Sequence, residues 1–241
     1  MYYQAKSVRR PVSTHPARPA KLCRMQDLPD ALIQYLMLIA LLTFHEYGHA
    51  WMAWKCGDDT ARLQGRLSLN PLVHIDPIGT VLMPLLMAVM PYEISRFLIG
   101  GAKPVPVNPH NYRHPNRDDV LVTLAGPGMN LILTVFLLGF ARILVVVGGH
   151  SQAVDEVLNL LIRAADLSLF LCFFNLLLPV PPLDGSHIAR ALIGMSHENY
   201  AKLAQWGFIP VILVWQIPFV PAFVAGVTDS VFRLIAFGFG F

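Results

Sequence analysis

The chain has few charged residues. Aspartate, glutamate, lysine and arginine make up 14% of its 241 residues, whereas 55% of the residues are hydrophobic. Soluble domains carry about 25% charged residues, and a deficit of this size is typical of a protein whose solvent is lipid. We therefore expect an all-α polytopic membrane protein, built as a compact bundle of four to six transmembrane helices.

Cysteine is scarce as well. Cys23, Cys56 and Cys172 are far apart and form no C-x-x-C pair, which argues against a disulfide framework and against a thiolate zinc site. The net charge of +3 is too small to indicate nucleic acid as a partner. No polar stretch is long enough to fold by itself, so we expect no appended PDZ-like or nucleotide-binding module.

The N-terminal residues 1–27 differ from the rest of the chain. They contain six lysine and arginine residues and three prolines, a composition typical of a basic, disordered tail. A cleaved signal peptide is the alternative, but the charged stretch is long for one, and no small-residue cleavage site follows the apolar run cleanly.

Apolar segments follow the tail. They lie at residues 31–54, 78–90, 120–147, 157–178 and 208–227, ahead of a weak amphipathic piece at 230–241. A helix needs about 20 residues to cross about 30 Å of hydrocarbon. The segment 78–90 is too short for this and lies between two prolines, which favours a re-entrant hairpin over a straight span.

The strongest chemical signal is the run His45-Glu46-Tyr47-Gly48-His49 inside the first apolar segment. Residues i and i+4 share a helix face, so both histidines can bind one metal ion, and Glu46 can act as general base on a water. Five residues alone arise by chance in many chains. Three ionisable side chains inside an apolar span are costly, however, and indicate a function. We favour this interpretation over the alternative, in which the two histidines are core residues satisfied by hydrogen bonds.

A catalytic zinc ion needs a third protein ligand and an open position for water. Asp184 is the candidate, because a carboxylate suits zinc and partly neutralises the ion within lipid. The same aspartate could instead cap a helix running from Ser186 to Ile193. His187 is a competing ligand, and sequence position alone leaves these alternatives open.

Asn130 lies in the apolar run 124–138, where its amide must find partners. One alternative is helix-to-helix hydrogen bonding beside the small residues of the run. The other is a functional role, as a donor to the scissile carbonyl or the oxyanion of a substrate.

Two polar regions are less decisive. The prolines in Gly100–Pro109 allow an edge strand but not a central one, and such an edge could bind an extended peptide by strand addition; a proline-rich interfacial loop is an equal alternative. His74 and Asp76 could bind a second metal, although a solvated loop is the stronger expectation. We expect four further histidines to be ordinary surface residues: His110, His114, His150 and His197.

Together these motifs resemble the site-2 protease family of intramembrane zinc metalloproteases, peptidase family M50, and especially its short bacterial and archaeal members without PDZ or CBS modules. H-E-x-x-H matches residues 45–49, G-P-x-x-N matches 126–130, and an N-x-x-x-P lead into L-D-G matches 175–185. The resemblance runs from about residue 28 to about residue 192. Ser186 departs from it, where many members carry glycine, but both residues suit a helix start.

The resemblance implies an enzyme that hydrolyses peptide bonds in or near transmembrane segments of membrane proteins, with Glu46 as general base and Asn130 in the substrate role. It implies a membrane-dipping β element at residues 100–109. It also implies one zinc ion per chain, bound by His45, His49 and Asp184. The chain would then be an integral, multi-pass protein of the cell membrane, with transmembrane substrates and the lipid bilayer as its partners.

On this basis residues 28–227 form the membrane-embedded protease domain, between the tail 1–27 and a short amphipathic segment 228–241. The two zinc-binding regions lie near the C-terminal ends of two spans, which must therefore run in the same direction. The loop 55–117 is basic and the loop 148–155 has no lysine or arginine, which favours a cytosolic site, although the basic tail disagrees. A metal-binding membrane protein or transporter, and an inactive scaffold homologue, remain as alternatives.

Overall fold

The computed structural model describes residues 28–82, 102–149, 151–207 and 209–241. The described residues are helical or irregular and contain no strand. The helices are α1 (Leu28–Cys56), α2 (Thr60–Leu63), α3 (Pro115–Val147), α4 (Gln152–Leu177), α5 (Asp184–Ile193), α6 (His197–Ala204), α7 (Ile209–Trp215) and α8 (Phe219–Gly238). Short helical turns lie at Pro71–His74, Pro77–Leu82 and Pro109–Asn111.

Four helices are long and apolar enough to cross a membrane. Their spans are Pro29–Cys56, Pro115–Val147, Gln152–Leu177 and Phe219–Gly238. Large apolar side chains cover their outer surfaces, among them Leu36, Phe136, Val146 and Leu234, as is expected where lipid is the solvent. The predicted all-α polytopic fold is confirmed, and the chain is an integral, multi-pass membrane protein.

The first three spans alternate in direction. The hydrogen-bonded pairs between α1 and α3 are His45–Asn130 and His49–Val122. Those between α3 and α4 are Asn130–Ser168 and Thr134–Ala165. Because α3 is antiparallel to both neighbours, α1 and α4 run in the same direction. Their C-terminal ends meet at one end of the bundle, as the sequence predicts for a site shared by two spans.

The stretch between α1 and α3 starts and ends at this same end of the bundle. The backbone N–H of Arg113 donates to the carbonyl of Cys56 across 3.1 Å. The re-entrant hairpin predicted for residues 78–90 lies mostly outside the described residues.

Small residues let α1 and α3 pack closely. A Cβ atom on Gly48 would lie 2.5 Å from the carbonyl oxygen of Ala125, so only glycine permits this crossing. Ala50 and Ala53 on α1 are fully buried. Such contacts are typical of membrane helices, whose association depends on packing rather than on the hydrophobic effect.

The C-terminal part of the bundle differs from the predicted segments. The apolar stretch at 208–227 forms two helices, α7 and α8, separated near Pro218, and α8 continues through the region treated as a separate amphipathic piece. The polar residues there do not interrupt the helix, because the hydroxyl of Thr228 donates to the carbonyl of Val224 and that of Ser230 to the carbonyl of Gly226. Hydroxyl groups bonded back in this way are tolerated inside an apolar helix.

Aromatic residues mark the C-terminal end of α1. Trp51 and Trp54 are each about one-third exposed, and the ammonium of Lys55 lies 4.6 Å from the ring centroid of Trp54. Tryptophan and lysine at the end of an apolar helix are typical of the membrane–water interface. We therefore place the interface at this turn of α1.

Candidate metal centre

The first two candidate ligands lie one helical turn apart on α1. His45 and His49 point towards α3, and their Nε2 atoms are 3.1 Å apart. His45 is buried and His49 half-buried. The i, i+4 spacing of the sequence motif thus brings both imidazoles to one point.

The third candidate ligand lies at the start of α5. Asp184 is the first residue of this helix, with Leu183 at the N-cap position, so the expected helix start at Ser186 is two residues late. The Asp184 side chain does not cap the helix. Its Oδ2 lies 3.1 Å from Nε2 of His45, and its Oδ1 lies 3.2 Å from Nε2 of His49.

This geometry fits a zinc ion. A tetrahedral ion with ligands at about 2.0–2.1 Å holds its ligand atoms about 3.3 Å apart. The two Nε2 atoms are 3.1 Å apart, and each lies 3.1 or 3.2 Å from one carboxylate oxygen of Asp184, Oδ2 for His45 and Oδ1 for His49. Two imidazoles and one carboxylate are a donor set that catalytic zinc uses, with a fourth position left for water. Among the described residues, His45, His49 and Asp184 are the one group of this kind.

The charge of Asp184 suits the same purpose. Burial alone would raise the pKa of this carboxyl group, but the two adjacent imidazoles outweigh burial and hold the pKa well below its ordinary value. An ionised carboxylate is the form that binds a metal.

The outer nitrogen of His49 is fixed by the backbone of α3. Its Nδ1 lies 2.7 Å from the carbonyl oxygen of Val122. A carbonyl can only accept, so Nδ1 carries the proton and Nε2 keeps its lone pair for a metal. Pro127, inside α3, lacks the N–H that would pair with the Thr123 carbonyl.

The α3 backbone borders the candidate site at Gly126. A Cβ atom here would lie 2.2 Å from Nε2 of His49 and 2.8 Å from Nε2 of His45. The glycine therefore leaves the space in which a metal would lie. The sequence indicated Gly126 only as a small residue of the G-P-x-x-N motif, and its contact with both histidines was not foreseen.

Asn130 lies on the same helix, one turn further on. It is fully buried, and its Nδ2 is 3.2 Å from Nδ1 of His45. The sequence-based role, a donor to the substrate, stays a prediction, and the contact that the geometry provides is with His45.

Glu46 lies beside the ligands and is half-buried. Its Oε2 accepts a hydrogen bond of 3.0 Å from the backbone N–H of Val105. The described part of the predicted edge strand, residues 102–108, is irregular backbone rather than a strand, whereas Gly100 and Gly101 lie outside the described residues.

Two buried charged residues hold this segment in place. The guanidinium of Arg66, which is 6% exposed, donates to the carbonyls of Lys103 and Pro104. The carboxylate of Asp58, which is fully buried, accepts from the N–H of Asn108 at 2.7 Å. A buried charge is costly unless it is hydrogen-bonded. The hydrogen bonds of both residues therefore fix the backbone of the segment next to Glu46.

A cavity opens beside the ligands. It has a volume of about 450 Å³ and is bordered by α1, α3, α4, α5, α7 and the segment 102–107. Glu46, His49 and Asp184 face it, and most of the remaining lining is apolar. Phe170, Phe174 and Trp215 form one wall, with ring centroids 5.2 to 6.3 Å apart. The three candidate ligands therefore border a cavity whose walls are mostly apolar.

His187, the competing ligand, lies apart from the three. Its ring packs on Tyr200 with a centroid distance of 4.6 Å. It borders the cavity, and burial lowers the pKa of its imidazole below the ordinary value. The structure therefore gives His187 a place in the wall rather than in the ligand group.

The remaining histidines have mixed outcomes. His74 is 2% exposed, and its Nε2 lies 2.8 Å from the carbonyl of Ser68, so the expectation of a solvated loop is wrong for this residue. His110 and His114 are exposed, as predicted. His150 and the side chain of His197 lie outside the described parts of the chain.

A buried ion pair links α5 to α3. The guanidinium of Arg190 lies 2.5 Å from the carboxylate of Asp119, and both side chains are 8% exposed. Since α5 begins with Asp184, this pair fixes the helix that supplies the third candidate ligand. Sequence reasoning did not identify it, because the two residues are 71 positions apart.

Comparisons with known proteins agree with this geometry. The sequence model of peptidase family M50 matches residues 33–156 and 141–214. The chain is 38% identical over 200 residues to "Putative zinc metalloprotease YwhC" of Bacillus subtilis, covering 79% of this chain and 84% of that protein. It is 30% identical over 189 residues to "Putative zinc metalloprotease Rip2" of Mycolicibacterium smegmatis, covering 73% of this chain and 64% of that protein. No solved structure matches the chain.

Proposed function

The chain belongs to peptidase family M50, and we propose that it is a zinc-dependent intramembrane protease that hydrolyses peptide bonds in or near transmembrane segments of other proteins. The observation that carries this proposal is the meeting of His45, His49 and Asp184 within 3.1 to 3.2 Å, in one cavity with Glu46.

His45, His49 and Asp184 would hold one zinc ion per chain. Zinc, when bound in such a site, activates a water for attack on a peptide carbonyl and polarises that carbonyl. The water and the peptide carbonyl would approach from the cavity, whose lining is mostly apolar.

Glu46 acts as the general base in this proposal. Its carboxylate takes a proton from the attacking water and then passes it to the leaving amine of the cleaved bond. The hydrogen bond from the Val105 N–H to Oε2 fixes the plane of the carboxylate and leaves Oε1 for the water. The segment 102–108 therefore contributes to the catalytic geometry through its backbone.

The cleavage point lies shallowly in the membrane. Trp54, at the interface, follows His49 by five residues, which corresponds to about 7.5 Å along the helix. The same end of the bundle carries Lys55, Arg113 and Arg117, whereas the linker 148–155 at the opposite end has no lysine or arginine. By the positive-inside rule these two loops favour a site that faces the cytosol, although the basic tail 1–27 favours the opposite orientation.

The substrate must present an extended backbone. The carbonyls of a transmembrane helix are hydrogen-bonded to N–H groups four residues away, so a helical substrate has to unwind before Glu46 and a water can reach a peptide bond. Residues 102–108 border the cavity with irregular backbone and could pair with the unwound chain by strand addition. Substrates with helix-breaking residues near the cleaved bond are therefore expected to react faster.

A metal-binding membrane protein or transporter would use the same ligands without chemistry at Glu46, and an inactive scaffold would use none of them. The decisive experiment incubates the purified, zinc-loaded full chain in proteoliposomes with a membrane-spanning substrate. The wild type should cleave it, and the Glu46→Gln variant should bind zinc equally but turn over at least about 10²-fold more slowly. Equal cleavage by the two proteins would refute the proposed role of Glu46, and no cleavage by either would favour the alternatives.

A further inference from the structure

We propose that Asn130 is a positioning residue for the first metal-binding histidine. Its side-chain oxygen accepts a hydrogen bond from Nδ1–H of His45 and so selects the imidazole tautomer whose Nε2 is free to bind the metal. This inference rests on the proposed metal site and assigns to Asn130 a role other than contact with substrate.

The burial of Asn130 separates it from the substrate. The residue is 0% exposed, and the cavity that the described residues enclose is lined by other side chains of α3, namely Asp119, Val122 and Thr123. A group that donates to an oxyanion must reach the position of the reacting carbonyl. Asn130 instead lies behind His45, on the side of the imidazole away from the ligand group.

The backbone of Asn130 is held firmly in that place. Its carbonyl accepts hydrogen bonds of 2.9 Å from the hydroxyl of Thr134 and of 2.9 Å from the hydroxyl of Ser168. The Thr134 bond lies within α3, and the Ser168 bond connects α3 to α4 at this level. The backbone of Asn130 is therefore fixed, and its side-chain amide lies 3.2 Å from Nδ1 of His45.

The tautomer of His45 decides which amide atom must face it. Nε2 of His45 lies 3.1 Å from Asp184 and 3.1 Å from His49, so a metal among these groups uses the Nε2 lone pair. The ring proton is then on Nδ1, which becomes a donor and needs an acceptor. The amide oxygen of Asn130 can accept, whereas its NH₂ group cannot.

The two amide atoms have nearly the same shape, and their placement follows from hydrogen bonding. Nδ2 is the atom at 3.2 Å from Nδ1 of His45, and Oδ1 is buried with no hydrogen-bond partner among the described residues. A half-turn of the amide exchanges the two atoms. Oδ1 of Asn130 then accepts from Nδ1–H of His45, and the NH₂ group takes the former place of the oxygen.

His49 supplies an independent precedent in the same site. Its Nδ1 faces the Val122 carbonyl at 2.7 Å, which can only accept. Both imidazoles thus receive an acceptor from α3 behind the ring, a main-chain oxygen for His49 and a side-chain oxygen for His45. The side-chain acceptor can be changed by mutation.

The test measures zinc affinity of the purified full chain in detergent by competition with a chromogenic chelator, for Asn130→Leu and Asn130→Asp. Leucine has a similar volume and no acceptor, so zinc affinity should fall about 10- to 100-fold, the usual effect of removing such a partner. Aspartate has acceptor oxygens only, so it should bind zinc at least as tightly as the wild type and should still cleave substrate.

A substrate-donor role predicts the reverse pattern. Asn130→Leu would then bind zinc like the wild type, and Asn130→Asp, which has lost its N–H donor, would bind zinc but not cleave; either result overturns the positioning role. Asn175→Leu is the matched control, since Asn175 lines the cavity and donates to the Leu171 carbonyl without touching a ligand, and its zinc affinity should be unchanged. Wild type without zinc affinity would instead refute the proposed function itself.

Discussion

A methyl group placed on Gly126 would lie 2.2 Å from Nε2 of His49. Non-bonded heavy atoms do not approach so closely, so the backbone of α3 forms one wall of the candidate metal centre. The G-P-x-x-N motif thereby acquires a steric explanation for its first residue. The residue of α3 that faces the two histidines must therefore have no side chain.

The first prediction is that Gly126→Ala weakens zinc binding. The added carbon competes with both imidazoles for space, and overpacking of this kind costs about 1–3 kcal/mol, which corresponds to a loss of about 5- to 150-fold in zinc affinity. Gly128→Ala is the matched control in the same motif, because a Cβ atom there meets nothing within 4 Å among the described residues. Equal zinc affinity of the two variants, measured by chelator competition, would contradict the steric argument.

The second prediction separates the two candidates for the third ligand. Asp184→Ala should lose zinc, because its carboxylate oxygens lie 3.1 and 3.2 Å from the two Nε2 atoms. His187→Ala should retain zinc, because that ring packs on Tyr200 outside the ligand group. Metal content after dialysis against zinc-free buffer measures both. The ligand assignment is wrong if the histidine variant loses zinc and the aspartate variant keeps it.

The sequence was sufficient for features that depend on spacing or on local composition. The i, i+4 spacing of His45 and His49 predicts that they share a helix face. Ionisable side chains are costly in an apolar segment, so the context indicates that the motif is not a chance match. The parallel direction of α1 and α4 follows from the placement of these histidines and of Asp184 near span ends. Three of the four spans were also located to within a few residues, because long apolar runs leave little freedom.

Other features leave no local trace in the sequence. The acceptor for His49 is the Val122 carbonyl, and a main-chain atom has no residue type to recognise. Asp119 and Arg190 pair only after α3 and α5 have packed. The continuation of α8 was missed because Thr228 and its polar neighbours resemble a boundary, whereas hydroxyl-to-carbonyl bonds within the helix satisfy them.

The third prediction concerns Asp58, whose carboxylate accepts a hydrogen bond from Asn108 in the segment 102–108 that contacts Glu46. Burial alone would raise the pKa of this carboxyl, but hydrogen bonds from Thr60, Asn108 and Asn111 outweigh burial and hold the pKa below its ordinary value. Asp58→Asn should lower the free energy of unfolding by about 1.5–3 kcal/mol, the usual worth of a hydrogen bond to a charged group. Denaturant titration in detergent at pH 7 measures this loss.

The pH dependence of that loss has a definite sign. A folded-state pKa below the unfolded value of about 3.9 gives a stabilisation that is present above that pH and is lost as the pH falls through the folded-state pKa. The difference between wild type and Asp58→Asn should therefore be full at neutral pH and shrink below about pH 4. Asp59→Asn is the control, because Asp59 forms an exposed pair with Arg62 that is worth at most about 1 kcal/mol. A constant difference between wild type and Asp58→Asn at all pH values would contradict the assignment.

The fourth prediction concerns the ion pair between α3 and α5. Removing either Asp119 or Arg190 leaves the other charge buried and unpaired, which costs about 3–5 kcal/mol. Both single variants, Asp119→Leu and Arg190→Met, should therefore unfold more easily. They should also bind zinc more weakly, because α5 begins with Asp184 and the pair fixes that helix against α3.

The double variant distinguishes pairing from the mere presence of two polar residues. Asp119→Leu combined with Arg190→Met removes both charges and leaves apolar groups of similar volume, a replacement that is often neutral for stability. Its loss of stability should thus be smaller than that of either single variant, as measured by thermal unfolding in detergent. Glu198→Gln is the control on α6, since Glu198 and Lys202 form an ion pair of 3.2 Å at 81% and 67% exposure, and this change should have little effect. If the losses of the single variants simply add in the double variant, Asp119 and Arg190 do not act as a pair, and α5 is held against α3 by its other contacts.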